Sequence, residues 1–589
     1  KASNSRGPSL IMEGFPALCR QLETSLDNGY IVPVDGLPFT SKGIPTLFGE
    51  LYNKIFDAQL GLLLVDPCIG AIRALRQIYT CFKGLNVPYP DEYERNKIHE
   101  FLVIEQGLIS PHLSWGATLL HPEGYRYPYL LDVGLRVVDS AAGFLPGYYQ
   151  DAWWRDLAPL LHRIQEISDR VLSNFVFRDE WFRPKHGPGA VSEPYGSSKY
   201  EFPTWPERLE RMFPYDLYGL FNQADYDLSK DSPSGDSPAK LIAVPKDYRG
   251  PRLIASEPIS AQYIQQGLLS VLRRNLEKSV LKHCIDFTSQ TPSRVACQEA
   301  SRTGGSSTID LSSASDRLSC AVVEAVFRRS SLLPYLNSAR TPCLLVNDER
   351  IELKKFAAQG AAFTFPVQSI VYALVCMGVI SYETQCTNLT ELAKQVRVFG
   401  DDMIVPTPHF RSICDVLTCL QLKVNRDKSF AKGKFRESCG MDAFAGEDVT
   451  PAKVNRIFEE NDKESLVSAV ECSNNLYDRG YICASRALLE TIPERLLKDI
   501  PWTSRQSTIM GFRSPGEHKL RRRWNKYLHR YETRILAVEG KVLKSSPDGH
   551  LLLFQRAVER PVPDLVWCGG EVEKVKHRYV LRWVPDSEI

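Results

Sequence analysis

Apolar and polar positions alternate with period two at several places in the middle of the chain, and each alternation predicts a short strand. Lys240 to Ala255 alternates around a turn at Arg249-Gly250-Pro251 and predicts a hairpin. Ser307-Thr308-Ile309-Asp310-Leu311 is a second β-rich run. Gln395-Val396-Arg397-Val398-Phe399 and Met403-Ile404-Val405-Pro406 are two apolar runs flanking a tight acidic turn, Gly400-Asp401-Asp402. A Gly-containing loop at Gln359-Gly360-Ala361-Ala362 leads into an uncharged stretch, Phe365 to Tyr382. That stretch approaches membrane-spanning length, but Gln368, Ser369 and Ser381 favour a buried core helix. From about residue 456 the pattern turns helical, with a last β-like stretch at Tyr579 to Val584. The first ~180 residues mix helical patterns with Pro and Gly punctuation and say little about chemistry. Phe182 to Gly189 reads as an ordered basic loop in which His186 is structural or contacts a polyanion, and Ser229 to Pro238 reads as a polar connector.

Composition sets bounds on this picture without deciding it. The 589 residues suggest roughly three to four domain-sized units. With 43% hydrophobic and 24% charged residues, the chain can bury a large core. The net charge of +2 excludes a bulk polycation, yet the run from Lys519 through Arg521, Arg522, Arg523 and Trp524 to Tyr527 is strongly basic. Fifteen cysteines without a CxxC pair or a zinc-spaced Cys/His cluster fit a reducing compartment. No apolar run follows Lys1 to Arg6, so no signal peptide is expected, and the expectation is a soluble, cytoplasmic protein.

The acidic turn changes the picture most. Adjacent carboxylates raise each other's pKa unless a cation neutralises them. Mg²⁺ suits such a pair because it prefers hard oxygens and takes one or two carboxylates plus substrate phosphates. Two ions ~3.5–4 Å apart clamp the attacking and leaving oxygens of an in-line phosphoryl displacement. Such a clamp needs a further carboxylate from a neighbouring strand, and Asp310 closes the β-like run that could supply it.

Together these segments resemble the RNA-directed RNA polymerases of viruses, specifically the replicase beta subunit of single-stranded RNA bacteriophages, the leviviruses. Thr308 to Asp316 is similar to motif A, and Phe399-Gly400-Asp401-Asp402 to motif C, with Phe399 where the family usually has Tyr. Phe435 to Gly440, Asp448 to Pro451, Val244-Pro245-Lys246 with Arg249, Arg252 and Glu257-Pro258, and Ile285-Asp286 with Gln290 also match. The similarity is dense from about 240 to 451. The motif B segment departs from it: Gln359-Gly360-Ala361-Ala362 stands where relatives carry Met-Gly-Asn-Gly, and Pro366 and Gln368 replace two glutamates.

The resemblance implies roles for individual residues. Asp310, Asp401 and Asp402 would be the metal ligands, with two Mg²⁺ ions as cofactor and Mn²⁺ as a substitute. Asp316 would sense the ribose 2′-hydroxyl of the incoming nucleotide; as a plain residue it could instead cap the helix that follows. Lys246, Arg249 and Arg252 would face the triphosphate, or form a solvated strand face. Gly360 would shape the nucleotide-binding loop. Lys428 resembles the motif D lysine that protonates departing pyrophosphate, with Lys423 as a competing candidate. Asn425 matches a family position without an assignable role. Lys519, Arg521, Arg522, Arg523 and Trp524 would bind RNA by phosphate contact and stacking, or form a solvated helix face.

The expected fold is therefore α+β, a right-hand polymerase with an antiparallel palm sheet and a mostly helical thumb. Residues 1–235 and 236–300 would contribute to the fingers, the latter with the basic nucleotide-binding motif. Residues 301–455 would form the palm, and 456–589 the thumb and C-terminal region. The expected function is RNA-directed RNA synthesis on a viral single-stranded genome, initiated without a primer, with RNA template and NTPs as substrates. The family further implies host elongation factors Tu and Ts and a host ribosomal RNA-binding protein as partners, no membrane, and the cytoplasm of an infected bacterium. Two rivals remain. A reverse transcriptase also carries paired aspartates but usually has a bulky aromatic where Ser312 to Ser315 stand here; a non-catalytic RNA-binding scaffold would not need the acidic set.

Overall fold

A computed structural model describes residues 9–33, 44–85, 87–111, 128–141, 147–187, 189–195, 198–219, 235–513, 520–541 and 576–589. Its spine is the helix Thr364–Thr384, the uncharged stretch of the sequence, with side chains buried from Thr364 almost without break to Ser381. By length and composition this helix could cross a membrane, but 94% of its most apolar window is buried inside the protein. The long helix Gly147–Leu172 lies against it. At their crossing a Cβ on Gly378 would sit 2.5 Å from the Ile164 Cα, so only glycine allows the two backbones this close. Around this pair gathers the main core, which also takes in Val322, Val323, Met403 and Val405.

Beside the spine stands a three-stranded antiparallel sheet, with Asp402–Pro406 in the centre between Ser306–Ile309 and Arg397–Phe399. The second hairpin foreseen in the sequence is also present: Ala239–Asp247 pairs antiparallel with Gly250–Ser256, Asp247 facing Gly250 across a turn at Tyr248 and Arg249. Cys343–Val346 and Glu349–Glu352 extend it to four strands, through a parallel pairing of Ala239 with Leu344. A third antiparallel sheet joins Phe435–Ser438, Met441–Phe444 and Glu447–Asp448. Helices from the start of the chain, Phe15–Asn28 and Ile69–Thr80, pack on it through Leu22, Leu75, Phe435 and Phe444. The chain is thus of mixed α and β content with antiparallel sheets.

The C-terminal region corrects one expectation. After the helices Lys463–Asp478 and Ile482–Leu489 it is not mostly helical: Arg522–Asn525, Arg530–Lys541 and Lys576–Pro585 form an antiparallel sheet. Arg530 to Lys541 carries a central apolar run, Ile535 to Val538, and Leu536, Val538 and Tyr579 pack with Leu466 and Val470 of the first of these helices. Pairing with a second β-branched and aromatic strand outweighs any helical tendency. Arg521 to Tyr527 of the basic run accordingly lie on an exposed strand and turn, not a helix face.

Candidate active site

The site is organised by strand register. Ile309 pairs with Met403 at the end of the ladder, and Asp310 and Asp402 are the next residues of the two strands, close enough for Asp310 to act on the Asp402 carboxyl. Phe399 pairs with Asp402 on the other side, leaving a two-residue turn of Gly400 and Asp401. Gly400 has φ +65°, and a Cβ there would meet the Phe365 ring at 2.8 Å, so glycine is required both by conformation and by space. Its N–H donates to the Ser369 hydroxyl at 3.0 Å, tying the turn to the buried spine helix. The two remote acidic segments therefore meet at one end of one sheet.

Burial and proximity have an electrostatic consequence. Burial, followed by Asp401 and Asp310, pushes the Asp402 carboxyl up from 3.8 to about 6. Burial and Asp401 likewise raise Asp310, against the pull of Lys428. Asp402 accepts the Cys439 N–H at 3.2 Å, from the tip of the Phe435–Phe444 hairpin. Asp310 is held on several sides: Asn425 Nδ2 donates to its Oδ2 at 2.8 Å, the Asn425 N–H donates to its carbonyl at 2.9 Å, and its own N–H donates to the Ser429 hydroxyl at 3.1 Å. Sequence reasoning left Asn425 without a role; here it fixes the rotamer of Asp310.

Among the described residues, no three His, Cys, Asp or Glu side chains close into a cation cage made by protein alone. Mg²⁺ takes one or two protein carboxylates and completes its octahedron with water and substrate phosphate oxygens. Asp310 and Asp402 are hard oxygen donors whose raised carboxyls a bound cation would relieve, and their chemistry fits such an ion.

Cations surround the acids. Lys428 Nζ lies 3.9 Å from both Asp310 and Glu437. Desolvation lowers its pKa, but Glu437, Asp310 and Asp402 outweigh that and carry it above the ordinary lysine value. Lys423, the competing candidate, lies on the short strand that pairs with Leu311–Ser312 and is exposed. Glu437, part of the matching segment Phe435–Gly440 but given no role from the sequence, is pushed up to about 8 by burial and by Asp442 and Glu23. Lys246 is lowered by desolvation and then by Arg252. Arg249 is already committed to Asp247, at 2.9 Å.

Gly360 proves to be a packing requirement. At φ +130°, a Cβ would fall 2.0 Å from the Ala255 carbonyl oxygen, and the Ala255 N–H donates to Gln359 at 2.7 Å. The loop entering the spine helix is thereby clipped to the basic hairpin. Asp316 does not cap the following helix, whose cap is Ser319; its carboxylate instead accepts from Lys355 at 3.0 Å. His186 is buried between Tyr200 and Tyr263, and burial lowers it to about 4, as befits a structural histidine. Of the basic run, Lys519 lies outside the described residues. Arg522 pairs with Asp586 and Arg523 with Glu532, while Trp524 is half-exposed against Tyr531.

Residues 231–472 match the family described as RNA replicase, beta-chain. The replicase-like segment thus holds Asp310, Asp401, Asp402, Lys246, Arg249, Arg252 and Lys428. Relatives include the RNA-directed RNA polymerase subunit beta of Qbeta virus (strain MX1), 32% identical over 260 residues that make up 44% of this chain and 42% of that one. The beta chain of Enterobacteria phage fr is 34% identical over 217 residues, 37% of each chain. That of phage SP is 31% identical over 275 residues, 46% of this chain and 44% of its own. The matches span about two-fifths of the length of these relatives. Among solved structures, one described as an RdRp complex covers 80% of this chain and 43% of its own at 10% identity and TM-score 0.39. The RNA-dependent RNA polymerase of a human picobirnavirus covers 43% of this chain and 55% of its own at 11% identity and TM-score 0.31.

Proposed function

We propose that this chain is the catalytic subunit of an RNA-phage replicase, a template-directed RNA polymerase acting on single-stranded RNA with NTPs as substrates. The observation that carries the reading is the cross-strand meeting of Asp310 and Asp402 beside Asp401, within a segment matching the replicase beta-chain. Asp310, Asp401 and Asp402 would hold two Mg²⁺ ions, or Mn²⁺ in their place. When bound, these supply charge neutralisation and activation of the RNA 3′-hydroxyl for attack on the α-phosphate.

The protein groups around them have distinct tasks. Asn425 and Ser429 keep Asp310 in one rotamer. Lys246 and Arg252, exposed on the hairpin, receive the triphosphate; Arg249 contributes from its pairing with Asp247. Lys428, kept protonated by the acids around it, donates a proton to the departing pyrophosphate. Gly360 holds the nucleotide loop against the hairpin. The half-exposed Trp524 and Tyr531, with Arg521, Arg522 and Arg523 nearby, form a surface suited to stacking and phosphate contact with RNA. Lys519 belongs to the same run.

In right-hand terms, 301–455 is the palm, 236–300 with the N-terminal region the fingers, and 456–589 the thumb and C-terminal region, built from helices and a sheet. Initiation without a primer, action in the cytoplasm of an infected bacterium, and partnership with elongation factors Tu and Ts and a ribosomal RNA-binding protein rest on the family resemblance. The test is synthesis by purified protein on single-stranded RNA with Mg²⁺ and four NTPs, with and without bacterial extract. Asp401→Asn is expected to abolish product while keeping RNA affinity. Unchanged synthesis refutes the mechanism, and preference for dNTPs turns the reading to a reverse transcriptase.

A further inference from the structure

One lysine is out of place by ordinary rules. The Lys355 side chain is 0% exposed, although lysine is almost never fully buried unless it is paired. Three side chains from two parts of the chain converge on it. Glu105, on the helix Asp91–Gly107, lies 3.4 Å from Nζ. The Phe101 ring, one turn earlier on that helix, has its centroid 3.4 Å from Nζ. Asp316, six residues past Asp310, accepts from Nζ at 3.0 Å.

The lysine's backbone is fixed as firmly as its tip. Its carbonyl accepts from Arg340 at 2.9 Å, and the flanking residues bond to the Leu318–Cys320 segment. Glu105 is immobilised too, because it accepts the backbone N–H groups of Lys354 and Lys355. Of the three charged groups only Asp316 reaches solvent, at 23% exposure against 5% for Glu105. The fixed end of the chain Glu105–Lys355–Asp316 is therefore buried, and the free end faces outward just past the catalytic strand. Lys355 engages one carboxylate oxygen, Oδ1, and leaves Oδ2 for a further donor.

We propose that Lys355, anchored by Glu105 and Phe101, is a positioning residue for sugar selection: it fixes the Asp316 carboxylate so that its remaining oxygen accepts from the ribose 2′-hydroxyl of the incoming nucleotide. This rests on the polymerase reading above. A rotating carboxylate would meet the hydroxyl only part of the time, and a held one meets it in a single geometry. Lys355 touches no substrate; it acts through Asp316.

The experiment compares kcat/KM for one NTP and its 2′-deoxy counterpart at a single template position. The proteins are wild type, K355M, K355R, D316A and K355M/D316A. Loss of a hydrogen bond to a charged group predicts that K355M lowers NTP-over-dNTP discrimination ~10–100-fold. K355R should recover part of that loss, and K355M should add nothing to D316A. Wild-type discrimination in K355M overturns the proposal, as does a further undiminished loss on the D316A background. Should K355M fail to fold with Glu105 left uncompensated, K355M/E105Q removes both buried charges and is read in the same way. A general packing defect would slow both nucleotides alike and leave the ratio intact. Absence of RNA synthesis by the wild type instead refutes the polymerase reading itself.

Discussion

Asp402→Asn should make the metal-free protein more stable while removing its activity. The Asp402 carboxyl is carried from 3.8 to about 6 by burial and by its two acidic neighbours. At 1.36 kcal/mol per pH unit this corresponds to about 3 kcal/mol of lost stability once the group is ionised. The sign follows from linkage. A carboxyl whose folded pKa is raised contributes stability below its unfolded pKa, near 3.9, and loses it as pH rises through about 6. Asparagine keeps the oxygen that accepts the Cys439 N–H and never ionises. The advantage of the variant should therefore be absent near pH 4, grow up to pH 6, and level off above pH 7. The assay is urea or thermal unfolding followed by tryptophan fluorescence, in chelator, across that range. Each kcal/mol is worth roughly 2–4 °C for a cooperative unit of ~150–250 residues. Added Mg²⁺ should then raise the midpoint of the wild type more than that of the variant, since an ion bound only by the folded state stabilises it. A variant no more stable than wild type at pH 7.5, or a difference of equal size at pH 4 and pH 7.5, would refute the electrostatic account.

Other substitutions probe the supports. Asn425→Ala removes the charge-assisted bond to Asp310 and should cut kcat/KM ~10–100-fold in steady-state extension assays, with unfolding little changed. Lys428→Met should slow nucleotide addition by ~10²–10⁴ while RNA binding by filter retention persists. Gly360→Ala forces a Cβ onto the Ala255 carbonyl in a backbone region foreign to alanine, and should cost about 3 kcal/mol in urea unfolding together with NTP affinity. Arg76→Met strips the fully buried partner of Glu23 and Asp442 and should destabilise by roughly 3–5 kcal/mol in the same measurement.

What could be read from the sequence divides along a physical line. The basic hairpin and the acidic turn were legible because each is local: period-two alternation and a Gly at the bend specify them within some fifteen residues. The partnership of Asp310 with Asp402 was legible only as a chemical need, since nothing local reports that Ile309 faces Met403. Asn425, Glu437 and Lys355 stayed silent for the same reason. An asparagine, a glutamate or a lysine looks solvated until distant segments close over it. Glu437 owes its displacement to Asp442 across its own hairpin and to Glu23 from the first helix. At the C-terminus the density of cations drew attention to Lys519–Tyr527, while the pairing of Arg530–Lys541 with Lys576–Pro585, some forty residues on, carried the structure. Gly360 announced itself as a loop glycine, but the carbonyl that forbids a side chain there belongs to Ala255.

The Arg76 guanidinium also bears on how the chain is made. Its Nη2 donates to Asp442 at 2.5 Å, a partner 366 residues further along. At translation rates of ~5–20 residues per second, that partner leaves the ribosome roughly 20–70 s after the arginine. Until then the opening helices carry a cation whose burial is only half compensated, by Glu23. The strand bearing Asp402 and the hairpin that grips it are synthesised within the same interval as Asp442. Completion of the N-terminal packing and assembly of the acidic centre thus fall together, and a fragment released before residue 442 would lack both.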